Sequence, residues 1–534
     1  MYNDMFSNPP KSARPMVRWW WTGMDVEKEE LLREFHQLDE KGFFGAEIQT
    51  FVQGLPPDLS DDMESFKRCH QFLHPYYYEV VECLLDEAEK RDMCVDLTIG
   101  SAWPAGGTNV NKKNSLKTLL FGETVVEGKG KYKGPPPKFD MPGFYMLQKS
   151  MVGSVFDKEL MEYYPEDMKL FRVTAAKCKG QPGRITDMNP VTAYLEYGNA
   201  VDISWNVNEE GMLEWEVPEG KWKIFAFYSG PAGLKIVCDS KEDPFGESIV
   251  LDHFASEPVR EHLEHHLAEG RRIFGKHFGK ALRGVFNDSL ELVAECYWTD
   301  HFLEEFQKRR GYDLTPYLPV IYVPGRHNKW MELLPLMNDS PEFSFVPCFD
   351  FEDGVGDRIR YDYELTISDL FSEKFVDSAA RWCEENNLKF RIQAYGIGAD
   401  VLKAYGRSQI PETEQLYAGG VLDFLKLAGS AGVIYNKPVV TSESMVWVRR
   451  DHMLNPLKWK VAADRLFVAG INQMIYHGFP YRNPDYYKLG QYPFSSPHSS
   501  MSFSSDFSRS NEFWDYFGHL NGYVTRCQYI LQQG

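Results

Sequence analysis

The stretch "MVRWWWTG", residues 16–23, joins a short run of mostly apolar residues, three of them tryptophan, to a glycine. The residues that follow, from about 26 to 41, repeat leucine and phenylalanine at helical spacing and carry acidic residues in the first turn. A short apolar strand followed directly by an amphipathic helix is the repeating unit of parallel β/α proteins. We therefore predict that residues 16–21 form the first strand of such a series.

The same strand and helix pattern recurs along the sequence. The predicted strands cover residues 16–21, 45–51, 94–103, 282–287, 389–396, 408–414, 438–444 and 471–478. Between 115 and 250 the pattern changes to short alternating runs punctuated by Gly and Pro, which predicts an inserted β-rich module. Eight strands in β/α order predict an α/β fold, a (β/α)8 barrel of the TIM type with the module inserted after strand three. We expect three units: the first part of the barrel over 1–114, the module over 115–250, and the rest of the barrel with a closing helix over 251–534.

Charge and composition narrow the class of partner. The 534 residues carry a net charge of −19, which opposes binding to nucleic acid. The sequence contains no apolar run long enough to predict a membrane span, and its start lacks the pattern of a signal peptide. We therefore expect a cytoplasmic protein. The sequence contains neither a phosphate-binding nor a dinucleotide-binding fingerprint, so we expect no organic cofactor. The histidines of "EHLEHH", residues 261–266, share one helical face that we expect to be solvated rather than to bind a metal.

Acidic residues accumulate at the ends of the predicted strands, where the active site of a β/α barrel lies. Carboxylates that converge on one mouth repel one another and lose water, which raises some pKa values and allows a protonated acid beside an ionised base, as glycoside hydrolysis requires. Glu291 and Glu443 follow strands four and seven and stand beside small hydroxyl residues, so we predict that they are the catalytic pair. The predicted substrate-binding residues are Trp21, Glu47, Gln49, Asp96, Trp103, Asp288, Gln393, Tyr395, Trp447 and His477.

Several of these residues keep a structural alternative. Alternation points Trp19 and Trp21 to one side of the first strand and Trp20 to the other, and Trp21, next to the end, is the best placed of the three for the mouth. Trp103 and Trp447 suit either a platform for a sugar ring or an aromatic lid over the barrel. His477 suits a sugar hydroxyl or a buried structural role equally. Calcium binding, sugar binding and a structural role stay open for Glu412 and Glu414, which flank Thr413.

An ordered set of sequence blocks resembles glycoside hydrolase family 106, the α-L-rhamnosidases. These blocks are "RPMVRWWWTG", "GFFGAEIQTF", "FNDSLE", "RIQAYG", "IPETE", "VVTSES" and "GINQMIYHGFPY". The resemblance implies hydrolysis of terminal α-L-rhamnose with inversion, with Glu291 as the general acid and Glu443 as the general base. It also implies a calcium ion, which often assists sugar binding in the family, with Glu414 in the same sugar- or calcium-binding cluster.

Two alternatives to an inverting rhamnosidase remain open from the sequence. Acids after strands four and seven are also the arrangement of retaining glycosidases on the same fold, although the Asn that usually precedes their acid is replaced here by Leu290. A catalytically silent sugar-binding protein is the rival from another class. The expected partner is a carbohydrate in every case, and the sequence assigns no oligomeric state.

Overall fold

The computed structural model describes residues 2–53, 63–140, 161–179, 192–328, 346–447, 453–482, 494 and 506–533. Eight parallel strands close into a barrel, which confirms the predicted (β/α)8 fold. In chain order they are β1 Met16–Trp21, β2 Gly45–Thr50, β3 Cys94–Thr98, β4 Leu282–Asn287, β5 Lys389–Ile392, β6 Ile410–Glu414, β7 Thr441–Ser444 and β8 Gln473–Pro480. The order of strands around the barrel follows the order of the chain, and β1 pairs with β8 to complete the ring.

The first strand shows how the barrel divides inside from outside. All six residues of β1 are buried, as expected for a parallel strand covered on both faces. Trp19 stacks on Phe35 of the following helix with ring centroids 6.1 Å apart, and Trp21 meets Trp19 edge to face at 5.6 Å. Arg18 and Trp20 alternate with them and point into the barrel, where they contact Glu47 and His477.

Helices cover the outside of the barrel. The longer ones are Lys28–Glu40, Pro75–Arg91, Ser256–Phe274, Val355–Leu370, Leu422–Ile434, Pro456–Val468 and Phe517–Leu531. The shorter ones are Tyr2–Ser7, Met63–Cys69, Phe302–Arg310, Leu318–Ile321, Val401–Arg407 and Asp377–Glu385, and a π-helical segment, Phe371–Val376, precedes the last of these. None of the helices within the described ranges combines the length and the apolar character that crossing a membrane requires.

One helix corrects an expectation from the sequence. His262 and His266, on Ser256–Phe274, are 0% and 6% exposed, so two of the three histidines that we expected to be solvated are instead turned into the protein. The third, His265, is exposed as expected. Burial lowers the pKa of His266 to about 4, and burial, followed by the charge of His266, lowers the pKa of His262 well below its usual range. Apolar neighbours on the barrel side explain the difference, because a helix lying on a barrel buries one stripe whatever the polarity of its members.

The segment between β3 and β4 is rich in strands. They are Gly106–Gly107, Lys117–Glu127, Gly130–Gly134, Lys169–Lys179, Ala193–Asp202, Leu213–Val217, Lys221–Pro231 and Ile249–Val250. Four of these form a sheet that also takes Tyr297–Trp298 at one edge and Phe349–Phe351 at the other, both from beyond β4. The division of the chain at 114 and 250 therefore stays a prediction, while the sheet ties the module to the second part of the barrel.

A buried carboxyl group reinforces the seam, the place where β1 meets β8 and the ring of strands closes. Glu34, on the helix Lys28–Glu40, accepts a hydrogen bond from the indole of Trp19 at 2.9 Å and from the backbone of Arg482 at 2.7 Å. Burial raises the pKa of Glu34 to about 8. One carboxyl group thus joins the outer face of β1 to the residues that follow β8.

Candidate active site

Deep in the barrel, Arg391 on β5 reaches carboxylates from three other strands. Its guanidinium contacts Glu47 of β2, Asp96 of β3 at 3.1 Å and Glu412 of β6. All four side chains are at most 1% exposed. Burial alone would raise the pKa of Glu47, but Arg18 and Arg391 outweigh it and lower the pKa. These carboxylates are therefore held in an ionic network.

The same network continues toward the bottom of the barrel. Arg283 donates to Asp96 at 2.9 Å and to Gln473 of β8 at 2.6 Å. Burial favours the neutral form of Asp96, yet Arg283 and Arg391 together lower its pKa. Thr441 and Gln393 donate to the two oxygens of Glu412 at 2.7 and 3.2 Å. We call the group of Arg283, Arg391, Glu47, Asp96 and Glu412 the floor.

Above the floor, at the carboxyl ends of the strands, lie four further acids, which we call the rim: Asp288, Glu291, Glu414 and Glu443. One nitrogen of Arg18 faces two of these acids, because Nη1 lies 3.2 Å from Asp288 and 3.1 Å from Glu443. The Nε of Arg18 donates to Glu47 at 2.7 Å. Burial, followed by the charges of Glu443 and Glu47, raises the pKa of Asp288 to about 7 against the effect of Arg18. Charge at the rim is therefore only partly compensated.

Two rim acids stand side by side. Glu414 and Glu443 are paired in register on β6 and β7. Burial and then the charge of Glu443 raise the pKa of Glu414 well above its usual range. The hydroxyl of Tyr395 lies 2.6 Å from Glu414 Oε2 and 2.7 Å from Gln393 Oε1. A protonated Glu414 can donate to that hydroxyl, which in turn donates to Gln393.

Glu443 is the best-connected acid of the rim. Its Oε2 accepts from Gln393 at 2.9 Å and faces Arg18, and its Oε1 lies 3.6 Å from Nε2 of His477. Burial and the charge of Arg18 lower the pKa of His477 well below its usual range, so this imidazole is neutral near pH 7. Glu443 is thus an oriented carboxylate beside a neutral ring.

Glu291 lies beyond the end of β4, where its carboxylate meets two side chains. The indole nitrogen of Trp103 donates to Oε2 at 3.0 Å, and the hydroxyl of Ser289 lies 3.3 Å from Oε1. Glu291 also acts on Glu414, since its charge contributes to the raised pKa of that residue. The predicted acid and base therefore both belong to the rim.

A cluster of rings, Trp20, Phe51, Trp103, His477 and Phe494, stands over this side of the barrel. Trp103 stacks on Phe51 with centroids 5.1 Å apart, and Phe494 lies 5.9 Å from Trp20 and 5.6 Å from His477. Trp20 thus contacts the site from β1. Trp21 lies on the opposite face with Trp19, so a role for Trp21 in substrate binding stays a prediction that this placement does not favour.

Two other predicted residues have different surroundings. Gln49 donates to Glu47 at 2.9 Å and so belongs with the network that surrounds the floor. Trp447 lies under Lys458, whose Nζ is 4.0 Å from the ring centroid, and lines a cavity of about 570 Å³ between the helices Leu422–Ile434 and Pro456–Val468. Substrate binding by Trp447 stays a prediction.

Sequence reasoning missed the arginines. Arg18 and Arg391 both lie over the ring of Phe286, with guanidinium carbons 5.1 and 4.0 Å from its centroid. Both occupy predicted strands, and a cation that alternation turns into a barrel together with several acids was a usable signal. It would have predicted the ion pairs of Glu47 and Asp96; substrate binding by these two acids stays a prediction.

The two residues predicted to bind calcium differ in how well their surroundings suit that role. Glu412 does not fit a ligand role, because Arg391, Thr441 and Gln393 already bind its two oxygens. Glu414 fits better, since it lies at the rim beside Glu443. Within the described part of the chain, no group of three or more His, Cys, Asp or Glu side chains is arranged to hold a metal ion.

Comparison with known proteins gives consistent results. A family model described as glycoside hydrolase family 106, alpha-L-rhamnosidase, matches residues 7–176, 177–324 and 352–534. A protein of Formosa agariphila named "Putative beta-glucuronidase" is 22% identical over 538 aligned residues, which are 99% of this chain and 41% of the relative. The solved structure of a rhamnosidase from Novosphingobium sp. PP1Y superposes with a TM-score of 0.70 at 18% identity, over 100% of this chain and 61% of that one. The chain therefore spans less than two thirds of the length of either relative.

Proposed function

The chain belongs to glycoside hydrolase family 106, the α-L-rhamnosidases, and on that premise we propose that it removes terminal α-L-rhamnose from a glycan or glycoside with inversion. The observation that carries the proposal is the placement of Glu291 and Glu443 at the carboxyl end of one barrel, within the region that the family model matches. Barrel enzymes hold their reacting groups at this end.

In the proposed reaction Glu443 is the general base. It takes a proton from a water molecule, whose oxygen attacks the anomeric carbon from the face opposite the leaving group. Gln393 and Arg18 contact Oε2 of Glu443 at 2.9 and 3.1 Å, which leaves Oε1, beside the neutral His477, as the oxygen that receives the proton. These contacts support a base that is held in one orientation.

Glu291 is the proposed general acid. As the bond between the anomeric carbon and the glycosidic oxygen breaks, Glu291 gives its proton to that oxygen, and the leaving group departs as an alcohol. The sugar gains the hydroxyl of the attacking water with inverted configuration. Calcium remains a prediction of the resemblance: bound near Glu414 it would help to hold sugar hydroxyls, and no step above depends on it.

The first experiment is a screen of aryl glycosides, beginning with the α-L-rhamnoside, with proton NMR of the anomer that forms first. We expect hydrolysis of the rhamnoside and initial release of β-L-rhamnose. Initial release of α-L-rhamnose would show a retaining glycosidase, and tight binding of sugars without turnover of any glycoside would favour a silent binding protein. An aryl β-glucuronide belongs in the screen, since a relative carries that activity in its name.

The roles of the two acids are separated by the quality of the leaving group. Glu291→Gln should cripple cleavage of substrates with poor leaving groups and largely spare an activated aryl glycoside, whose phenolate needs no proton. Glu304→Gln, a surface change on the helix Phe302–Arg310, is the matched control and should behave as wild type. Equal losses of Glu291→Gln on both substrates would remove the acid role from Glu291.

A further inference from the structure

The contact between Trp103 and Glu291 has a chemical direction. An indole N–H can only donate, so the bond of 3.0 Å to Oε2 persists whether Glu291 is ionised or protonated. The carbonyl oxygen of a carboxylic acid is the better acceptor, which makes Oε2 the carbonyl oxygen of the protonated group. Its proton then resides on Oε1, next to Ser289.

Ser289 suits that arrangement because a hydroxyl can both donate and accept. Its Oγ lies 3.3 Å from Oε1 of Glu291. The hydroxyl accepts from Oε1 when Glu291 is protonated and can rotate to donate after the proton has left. Trp103 and Ser289 thus differ in kind as neighbours of Glu291: Trp103 gives a fixed bond and Ser289 an adjustable one.

The inserted module holds the backbone on both sides of this contact. On the Trp103 side, the carbonyl oxygen of Trp103 accepts from the amide of Val237 at 2.9 Å, and Leu251 donates to Ala105 at 3.1 Å. Trp103 itself is 9% exposed and stacked on Phe51, so its ring has little freedom to turn.

On the Glu291 side, the module strand Lys117–Glu127 anchors the residues that follow the acid. The hydroxyl of Thr118 accepts from the amides of Glu295 and Cys296 at 3.1 and 3.3 Å. The amide of Leu119 donates to Cys296 at 3.0 Å, and Tyr297 pairs with Thr118 at the edge of the module sheet. The segments that carry Trp103 and Glu291 are therefore fixed to one body.

We propose that Trp103 is a positioning residue for Glu291 that fixes Oε1 as the oxygen that carries and delivers the proton, and that the module keeps this pair in place. The inference rests on the acid role of Glu291 proposed above. Trp103 then acts through Glu291 and is not primarily a platform for the sugar.

The test replaces Trp103 by Phe, which keeps a ring on Phe51 and removes the N–H. Because that N–H stabilises the ionised carboxylate, its loss should raise the pKa of Glu291 by about one pH unit. The basic limb of the kcat/KM profile should move up by the same amount. Cleavage of a poor leaving group should fall about tenfold, and cleavage of an activated aryl glycoside much less.

Two controls accompany this variant. Trp205→Phe removes an indole N–H from a tryptophan that is 91% exposed on the module and should leave the profile unchanged. Ser289→Ala should raise the pKa of Glu291 by less than Trp103→Phe does, because its contact is longer and reversible. A loss of activity at every pH with an unmoved basic limb in Trp103→Phe would overturn the proposal.

Titration by NMR decides the question without turnover. In the unaltered protein one tryptophan indole signal should titrate with the same pKa as the carbon-13 signal of Glu291, and Glu291→Gln should abolish that titration. An indole that does not follow Glu291 would overturn the proposal even if Trp103→Phe failed to fold. If instead the indole signal titrates with Glu291 while the loss of activity in Glu291→Gln does not depend on the leaving group, the acid role is wrong and the contact with Trp103 stands.

Discussion

The floor and the rim of the barrel contain the same acidic residue types in different electrostatic settings. At the floor, Arg391 and Arg283 meet Glu47, Asp96 and Glu412 within one buried network. At the rim, the guanidinium of Arg18 faces both Asp288 and Glu443. The pKa values of Glu47 and Asp96 are lowered, whereas those of Asp288 and Glu414 are raised. Glu412 departs from the other two floor acids, because burial, followed by the charge of Glu47, raises its pKa against the effect of Arg391.

The comparison teaches that position at a strand end does not by itself make a carboxylate functional. A buried acid that is matched by arginine is part of the scaffold, because its charge is already compensated. An acid that shares its cation with a neighbour keeps a proton affinity that chemistry can use. For Glu47 and Asp96 compared with Asp288 and Glu414, the supply of cations explains the difference in pKa better than depth does, since all four side chains are largely buried.

The largest effect is expected from the base at the rim. Glu443→Gln should lower kcat/KM by about 10³–10⁴-fold on activated and poor substrates alike, because water must lose a proton whatever group departs. The melting temperature should change little, since the amide keeps the shape of the side chain. Steady-state kinetics and thermal melts measure both.

One outcome would move the base to the neighbouring strand. If Glu443→Gln kept near-normal turnover while Glu414→Gln or Glu412→Gln abolished it on both substrates, the acids of β6 would take the role assigned to Glu443. A loss in Glu412→Gln alone would also blur the distinction between floor and rim.

At the floor we expect loss of stability rather than of chemistry alone. Arg391→Met leaves three buried carboxylates short of their common cation and should lower the free energy of unfolding by about 3–5 kcal/mol. Urea unfolding followed by circular dichroism is the measurement. Arg272→Met, at a surface arginine paired with Glu269, is the control and should leave the unfolding midpoint in place. Unchanged stability of Arg391→Met would show that the floor does not depend on charge balance.

The third expectation concerns pH and Asp288. A carboxyl group whose pKa is raised to about 7 in the folded state stabilises the protein at low pH, and that contribution is lost as pH rises from about 4 to 7. Asp288→Asn removes the loss, so its stability relative to wild type should rise over this range by roughly 2–4 kcal/mol. Unfolding curves at several pH values test it, with the surface change Asp423→Asn as control. A pH-independent difference would mean that Asp288 titrates normally.

The smallest effect is expected from chelation of calcium. If an ion binds at the rim, EDTA followed by dialysis should lower the melting temperature by about 2 °C, and added calcium should restore it. Glu414→Gln should abolish the response, whereas Glu412→Gln should keep it because the floor acid is already bound by Arg391. Activity and melting temperature that both ignore chelation would exclude calcium binding at Glu414.

The barrel was predictable from the sequence because its signal is local. Apolar runs and helical repeats predict β1 and β4 with the bounds that the structure has. The third strand was predicted to run to 103 but ends at Thr98, because the chain then turns to bond with the module: Val237 donates to Trp103. The pattern of alternating and apolar residues cannot show where hydrogen bonds to a distant segment replace those between neighbouring strands.

The acids of the site were predictable, and their partners were not. Residue type and strand position single out Glu291, Glu414 and Glu443 as carboxylates at one mouth. The pairing of Arg391 with Glu47, by contrast, joins residues 344 positions apart and exists only once the ring of strands is closed. The prediction that Glu47 and Asp96 bind substrate was made without that cation in view, and it stays a prediction.

The seam fastened by Glu34 also bears on how the protein is made. Glu34 and Arg482 are 448 positions apart, and β1 has no β8 beside it until residues 473–480 have left the ribosome. Until then one edge of β1 is an open row of amide and carbonyl groups, a ready partner for another strand. The incomplete barrel therefore has an exposed strand edge for a long part of its synthesis. Slowing translation before residue 473 should increase aggregation of the nascent chain.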